Sequence, residues 1–378
     1  MRMTPTFAAG LEVARQIADE GFIAYVVGGA VRDLILGKDP NEIDIASNAP
    51  PEVIKELFPG ARRVFPFEYQ VFAICGENWR VEIARMREDV KTFGRQAQVR
   101  FTDDMDKDLA RRDFTINAMA VLPDRTFVDK FRGYKDLQHR TIRTIGEPAT
   151  RFEQDHLRIV RAIRFAAQLD FEFAADTERA IENLVHLCAD LSPAWLWREF
   201  RKGISAAGRF AELLKKYRLG QVLFGEFVDF EQISVSGIRC VFRRTRTEHL
   251  LWAFFFYDGA PDFFQRMSKV AGRMEFPRTI RKRVLHTARM IDQLRTHKNL
   301  PPRELARFLT DPQISSFLDC ADCFEDLAPM VSTLRKEFPN IGRVSPPDGN
   351  TLRAQGLSGE QLGEALAQLT LEMLRGEK

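Results

Sequence analysis

A chain of 378 residues is longer than one hydrophobic core usually serves, so more than one folding unit is expected. With 45% apolar and 29% charged residues the composition is that of an ordinary soluble globular protein, and a net charge of +3 names no partner by itself. No apolar run approaches the roughly 18 residues of a membrane span, and no signal-peptide pattern precedes the first helix. Five scattered cysteines, Cys75, Cys188, Cys240, Cys320 and Cys323, argue against a disulfide framework and for a reducing cytoplasm. Cys320 and Cys323 form a lone CxxC without a second ligand pair, which reads as a helical, partly buried coincidence rather than a zinc or redox site.

In chain order, Phe7, Leu11, Ala14 and Ala18 recur at helical spacing and predict a helix over 5–20. A strand Ala24–Val27 follows and ends in Gly28-Gly29; a short helix opens at Ala30, and a turn at Lys38-Asp39-Pro40 leads to a second strand carrying Glu42 and Asp44. Residues 50–57 read as a helix because Pro50-Pro51 suits a first turn and Val53, Ile54 and Leu57 share a face. Strand patterns come next at Arg62–Phe67, Tyr69–Cys75 and Arg80–Met86, with a turn at Gly76-Glu77-Asn78. Glu88 to Asp108 is charged and low in apolar periodicity, and is expected to be a surface loop or flap. An ordered element restarts at Leu109, and strand-like pieces at Phe127–Phe131 and Thr141–Ile145 close a mixed unit near Glu147-Pro148. From Arg151 onward helical periodicity dominates, broken at Gly259-Ala260-Pro261, Pro277, Pro301-Pro302 and Pro346-Pro347-Asp348-Gly349.

Several clusters carry chemistry. Gly28-Gly29 lets backbone N–H groups approach a triphosphate, with Arg32 one turn into the helix, and Glu42 and Asp44 point the same way on their strand, where they can hold a divalent cation. Either half alone would be a tight turn or a solvated acid pair; together they favour nucleotidyl transfer. Glu82, mid-strand in RVEIAR, is either an exposed acid or a third carboxylate that accepts a hydroxyl proton or completes a metal shell. Arg111-Arg112-Asp113 with Asn117 can grip phosphate and ribose. On a predicted helix, Asp155 and Arg158 are i,i+3 neighbours and Arg158, Arg161 and Arg164 form a stripe; an Asp–Arg pair suits base edges and further arginines suit phosphates. Basic stretches at Arg239, Arg243, Arg244 and Arg246, and from Arg278 to Lys298, suit an RNA backbone.

The ordered blocks GGAVRD, the acidic pair, VEIAR, RRDFTINAMA and RFEQDHLRIVRAIRFA resemble the bacterial class II tRNA nucleotidyltransferases, the CCA-adding enzymes, and their relatives the bacterial poly(A) polymerases. The likeness is strongest over 24–170; WREFRKGI and TLRAQGLSGEQLGEAL look like that family's body and tail. The resemblance implies an α+β fold. A polymerase-β-like nucleotidyltransferase head over 1–148 would be followed by an all-helical neck (149–205) that selects the base, a body (206–275) and a tRNA-binding tail (276–378), in a seahorse outline.

It also implies that Gly29 and Arg32 bind the triphosphate, that Glu42 and Asp44 hold Mg²⁺, and that Arg112, Asp113 and Asn117 sit at ribose and phosphate. Asp155 and Arg158, assisted by Arg161 and Arg164, would be a protein template that selects CTP or ATP. The implied activity is addition of CMP and AMP to the 3′ end of tRNA in the cytoplasm, with the acceptor arm as partner. Here Glu42 stands where the family normally has aspartate, and Gln154 where it has glutamate. The 88–108 segment has near-normal length for full CCA addition but lacks the family's Tyr/Asp/Arg-Arg-Pro string. The alternatives are a CC- or A-adding specialist, a poly(A) polymerase, disfavoured by the end of the chain at Lys378, and a tRNA-binding protein with decayed catalysis, against which Asp44, Glu82 and Arg112–Asn117 argue. The oligomeric state is open from sequence.

Overall fold

The computed structural model describes residues 3–64, 69–77, 79–93 and 96–377. The first helix, α1 (Pro5–Asp19), starts where the Thr4 hydroxyl accepts the Phe7 N–H and a proline occupies the first turn. It buries Phe7, Leu11, Ala14 and Ile17. Its Gly10 permits close approach: a Cβ there would lie 2.5 Å from Ile43 Cγ2. That contact seats the helix on one face of the sheet, so the neighbours of Ile43, Glu42 and Asp44, face the other way.

β1 (Ala24–Val27), α2 (Gly29–Ile35), β2 (Glu42–Ser47), α3 (Pro51–Leu57), β3 (Arg62–Arg63), β4 (Val71–Cys75) and β5 (Arg80–Arg85) follow in turn. With β8 (Ala120–Val121) and β9 (Phe127–Val128) the strands form a seven-stranded sheet of order β3-β4-β5-β2-β1-β8-β9. β1 and β2 are antiparallel, whereas β2 and β5 run parallel with Asp44 opposite Glu82. Beneath the sheet, Tyr25, Val27, Ala46, Met86, Leu109 and Ala120 form a buried cluster. The Phe65–Phe67 part of the predicted strand Arg62–Phe67, and Asn78 of the predicted turn, lie outside the described residues.

The segment expected to be a loop is instead largely regular. β6 (Arg87–Phe93) and β7 (Gln96–Phe101) pair as an antiparallel hairpin separate from the main sheet, and α4 (Met105–Ala110) follows, capped by Asp104 Oδ1 accepting from Asp106 and Lys107 N–H. Ladder hydrogen bonds satisfy the hairpin backbone where apolar periodicity is weak, and Glu88 joins Arg100 (3.4 Å) and Lys107 (3.2 Å) across its base. α5 (Gly133–Gln138), β10 (Thr141–Ile142), α6 (Pro148–Gln154), α7 (Leu157–Leu169), β11 (Glu172–Phe173) and α8 (Ala175–Leu184) complete the first of two compact units, Met1–Cys188; residues 149–188 belong to it.

The second unit, Ala189–Lys378, is helical. It comprises α9 (Pro193–Gly203), α10 (Ala207–Lys216), α11 (Leu219–Phe224), α12 (Val235–Arg244), α13 (Glu248–Phe255), α14 (Phe263–Arg273), α15 (Arg278–Thr296), α16 (Pro302–Leu309), α17 (Ile314–Ala321), α18 (Ala328–Glu337), α19 (Asn350–Ala354) and α20 (Gly359–Arg375). Prolines 277 and 301 immediately precede α15 and α16, as their helix-initiating chemistry predicts. α13 is apolar nearly all round and therefore central: Trp252, Phe254 and Phe255 are fully buried, and Phe254 stacks on Phe324 with ring centroids 5.3 Å apart. The expectation of unlinked cysteines is corrected here, because Cys240 of α12 and Cys323 beyond α17 form a disulfide, with Cα atoms 5.7 Å apart. Helix packing that the sequence does not display brings them together: a Cβ on Gly237 would lie 2.6 Å from Phe324, so α12 closes tightly on that turn. Cys320, the other half of the CxxC, is a buried free thiol.

Candidate active site

Gly28 joins β1 to α2 at φ +83°, ψ −142°, a conformation open to glycine and strained for other residues. The position a Cβ would occupy there lies 3.2 Å from Asp44 Oδ2 and 3.5 Å from Arg112 Nη1, so a carboxylate and a guanidinium flank the same turn. Glu42 and Asp44 are both exposed on one face of β2, as their two-residue spacing predicts. Arg80 lies 3.6 Å from Glu42 and holds Glu82 Oε1 at 2.5 and 3.1 Å through Nη2 and Nε, fixing Glu82 on the strand beside Asp44.

The donor set at β2 is oxygen only, which fits a hard cation such as Mg²⁺. Among the described residues no three His, Cys, Asp or Glu side chains converge as a metal cage. Two carboxylates that leave the remaining coordination to substrate oxygens are the usual protein contribution to a Mg²⁺–nucleotide site, so Glu42 and Asp44 fit that ion.

A second network links three sequence blocks that are far apart in the chain. Arg32 donates through Nη1 to Asn117 Oδ1 (2.8 Å) and through Nε to Asp33 (2.9 Å). Asn117 donates to Asp113 Oδ1 (3.1 Å), which also accepts the Phe114 N–H (2.8 Å), and Asp113 Oδ2 accepts from Arg161 Nε and Nη2 at 2.8 and 2.5 Å. Burial alone would raise the Asp113 carboxyl, but the Arg161 charge and the Asn117 hydrogen bond outweigh it and hold the group well below the ordinary carboxylate range. Phe165, 7% exposed, sits under Arg32, Arg161 and Arg164, whose guanidinium carbons are 5.2, 5.4 and 3.9 Å from its ring centre.

The predicted continuous helix through Asp155 and Arg158 is corrected. α6 ends at Gln154; Asp155 is extended (φ −150°, ψ 99°), and its Oδ1 accepts the Leu157 N–H at 3.1 Å to open α7. An aspartate before an apolar run caps a new helix more readily than it continues an old one. Arg158 turns back to the Arg151 carbonyl (3.0 Å), Gln154 Oε1 (3.5 Å) and the Arg111 carbonyl (3.4 Å). Of the predicted stripe, Arg158 and Arg164 are buried and Arg161 is bound to Asp113, so this is neither a solvated face nor an open row.

Two residues that sequence reasoning passed over organise these blocks. Arg151 donates from Nη2 to the carbonyls of Arg111 and Arg112, both at 2.7 Å, and from Nη1 to Gln154 (3.1 Å). Asp108, with a fully buried side chain, binds Arg111 and Arg112. Its i,i+3 and i,i+4 spacing from those arginines was the available signal. In the second unit, Arg239 pairs with Glu212 and Arg244 with Asp322, while Arg278, Arg281, Lys282, Arg283, Arg289 and Lys298 are exposed.

A mixed sheet that presents paired carboxylates beside a glycine turn and an arginine defines a nucleotidyltransferase, and residues 24–143 match the poly A polymerase head domain family. A CCA-adding enzyme of Bacillus licheniformis is 34% identical over 295 residues, which is 77% of this chain and 74% of that protein. One of Pediococcus pentosaceus is 42% identical over 201 residues, 53% of this chain and 51% of its own. The crystal structure of the Bacillus stearothermophilus CCA-adding enzyme in complex with CTP superposes with a TM-score of 0.77 at 26% identity, covering 99% of this chain and 94% of that one. The chain belongs to the CCA-adding enzymes.

Proposed function

We propose that this protein adds CMP and AMP to the 3′ end of tRNA, with CTP and ATP as substrates and pyrophosphate as product, in the cytoplasm. The observation that carries the reading is the placement of Glu42 and Asp44 on the open face of β2, with Asp44 against the Gly28 turn that Arg112 also approaches. No helix among the described residues is long and apolar enough to cross a membrane.

In this reading the Gly28-Gly29 turn admits the triphosphate to backbone N–H groups, and Arg112 and Arg32 carry positive charge toward the departing pyrophosphate. Mg²⁺ held by Glu42 and Asp44 supplies, when bound, charge neutralisation on the phosphates and a lowered pKa for the attacking 3′-hydroxyl. Glu82, one strand over from Asp44, accepts that hydroxyl's proton. Asp113 and Asn117 orient the sugar, and Asp155 and Arg158, with Arg161 and Arg164 behind them, present the groups that read the base edge. The reading keeps the division into head (1–148), neck (149–205), body (206–275) and tail (276–378), with catalysis in the head, base selection in the neck and the exposed arginines of α15, in the tail, meeting the tRNA backbone.

The reading is tested with tRNA transcripts lacking CCA, ending in C or ending in CC, each incubated with single NTPs and Mg²⁺. Incorporation on all three is expected; extension of only one class identifies a specialist, and none overturns the assignment. Asp44→Ala should abolish incorporation while tRNA binding, followed by gel shift, persists. Surviving activity in that variant would refute the metal assignment.

A further inference from the structure

Cys240 and Cys323 are both half-buried, so the bond between them can be reached from solvent. In a cytosolic protein such a bond is characteristically transient, opened and closed by thiols. The face of α12 that carries Cys240 has chemistry of its own. Ser236, Arg239, Cys240 and Arg243 fall at i, i+3, i+4 and i+7, one side of the helix. With Glu212 of α10 they line an open pocket of about 580 Å³, within the roughly 300–1,000 Å³ of small-molecule clefts. Among the described residues, Cys323 is not part of that lining, so the pocket leads to the Cys240 sulfur.

The pocket is electropositive. Glu212 accepts from Arg239 (2.6 Å) on one oxygen and from Arg209 (2.8 Å) on the other, and Arg243 is exposed one turn beyond Arg239. Three guanidiniums thus face one carboxylate, which favours an anionic visitor. α10 also fixes the stem of Arg239, since a Cβ on Gly208 would lie 2.2 Å from Arg239 Cγ. Cys320 cannot open the bond from inside: it is buried, and burial pushes its thiol up to about 12, whereas the thiolate is the nucleophile. The attacking sulfur must therefore come from solvent.

We infer that the Cys240–Cys323 bond is a thiol–disulfide exchange site for small anionic thiols, admitted to Cys240 by Arg239 and Arg243. The thiolate bonds to Cys240 Sγ, the Cys240–Cys323 bond breaks, and its electron pair leaves on Cys323 Sγ, which takes a proton from water. A second thiolate then attacks the small molecule's sulfur and Cys240 leaves, so two small thiols are oxidised to their disulfide while the protein bond is reduced. That small disulfide is the oxidant of the reverse reaction, which closes the bond again.

The test uses the full chain carrying Cys75→Ser, which removes the exposed free thiol. After equilibration with the disulfide of 2-mercaptoethanesulfonate, only Cys188 and Cys320 should titrate in denaturant, with no added mass. Four titrating thiols, or a retained adduct, overturns the inference. Opening is then timed with 2-mercaptoethanesulfonate, 2-mercaptoethanol and cysteamine, which differ in the charge of one end group, with rates taken per thiolate and adducts trapped by acid and located by peptide mass. The sulfonate should react about tenfold or more faster than cysteamine, the scale of electrostatic steering, with its adduct on Cys240. Equal rates, or an adduct on Cys323, sinks the proposal. Arg239→Gln with Arg243→Gln should flatten the series, folding being checked by circular dichroism, and a series that stays steep overturns the role of the arginines. Should the double variant not fold, Arg243→Gln alone decides: it should lower the sulfonate-to-cysteamine ratio severalfold, and an unchanged ratio refutes the inference.

Discussion

Gly28 is where the chain's most local constraint meets its chemistry. At φ +83° and ψ −142° any side chain is strained, by roughly 1–3 kcal/mol, and a Cβ would press to 3.2 Å on the Asp44 carboxylate. Gly28→Ala should therefore lower stability by about that amount and reduce CTP incorporation at least tenfold, measured by thermal unfolding and single-turnover assay. A fully active variant would show that the turn relaxes without moving Asp44. Gly28 and Asp44 were legible in the sequence because a glycine pair and an alternating acid pattern are local signals. Asp108 and Arg151 were not, since their importance lies in partners folded onto them, which no spacing along one element displays in full.

Between elements, the joint from α6 to α7 shows how a single side chain redirects a backbone. Helical periodicity runs through 152–166, yet Asp155 uses its carboxylate to cap α7 instead of facing Arg158 across a turn. The same joint lets Arg161 reach back 48 residues to Asp113. Arg161→Ala would leave a 9%-exposed carboxylate without its counter-ion, and a loss of about 3 kcal/mol is expected in denaturant unfolding of the full chain. Arg161→Lys should recover only part of it, because one ammonium cannot reproduce the two-pronged contact. An unchanged midpoint for Arg161→Ala would mean that Asp113 is satisfied by Asn117 and the backbone alone. The hairpin β6–β7 makes the complementary point: low apolar periodicity marks exposure, but antiparallel pairing needs only backbone groups and a matching register.

At the level of the whole molecule, the second unit combines an aromatic interior around α13 with an exposed basic face on α15. If that face meets the tRNA backbone, affinity should fall linearly with salt on a double-logarithmic plot. Replacing Arg281 and Arg283 by serine should reduce the slope by about 1–2, with little change in the melting temperature. An unaltered slope would place the tRNA on another surface. The disulfide Cys240–Cys323 belongs to this scale too, because it links positions 83 residues apart that only helix packing makes neighbours.

The amino-acid sequence by itself determined the helix and strand types in most of the chain, the proline-set starts of α15 and α16, the same-facing pair Glu42 and Asp44, and the family. These are encoded in periods of two or 3.6 residues, in turn chemistry and in ordered motifs, all short-range properties. Only the tertiary structure decided that Arg32, Asn117, Asp113 and Arg161 form one network, that Asp108 binds Arg112, and that Arg158 is held by Arg151 and Gln154. The reason is physical: a buried charge takes whichever partner satisfies it after collapse, and that partner is chosen by packing rather than by distance along the chain.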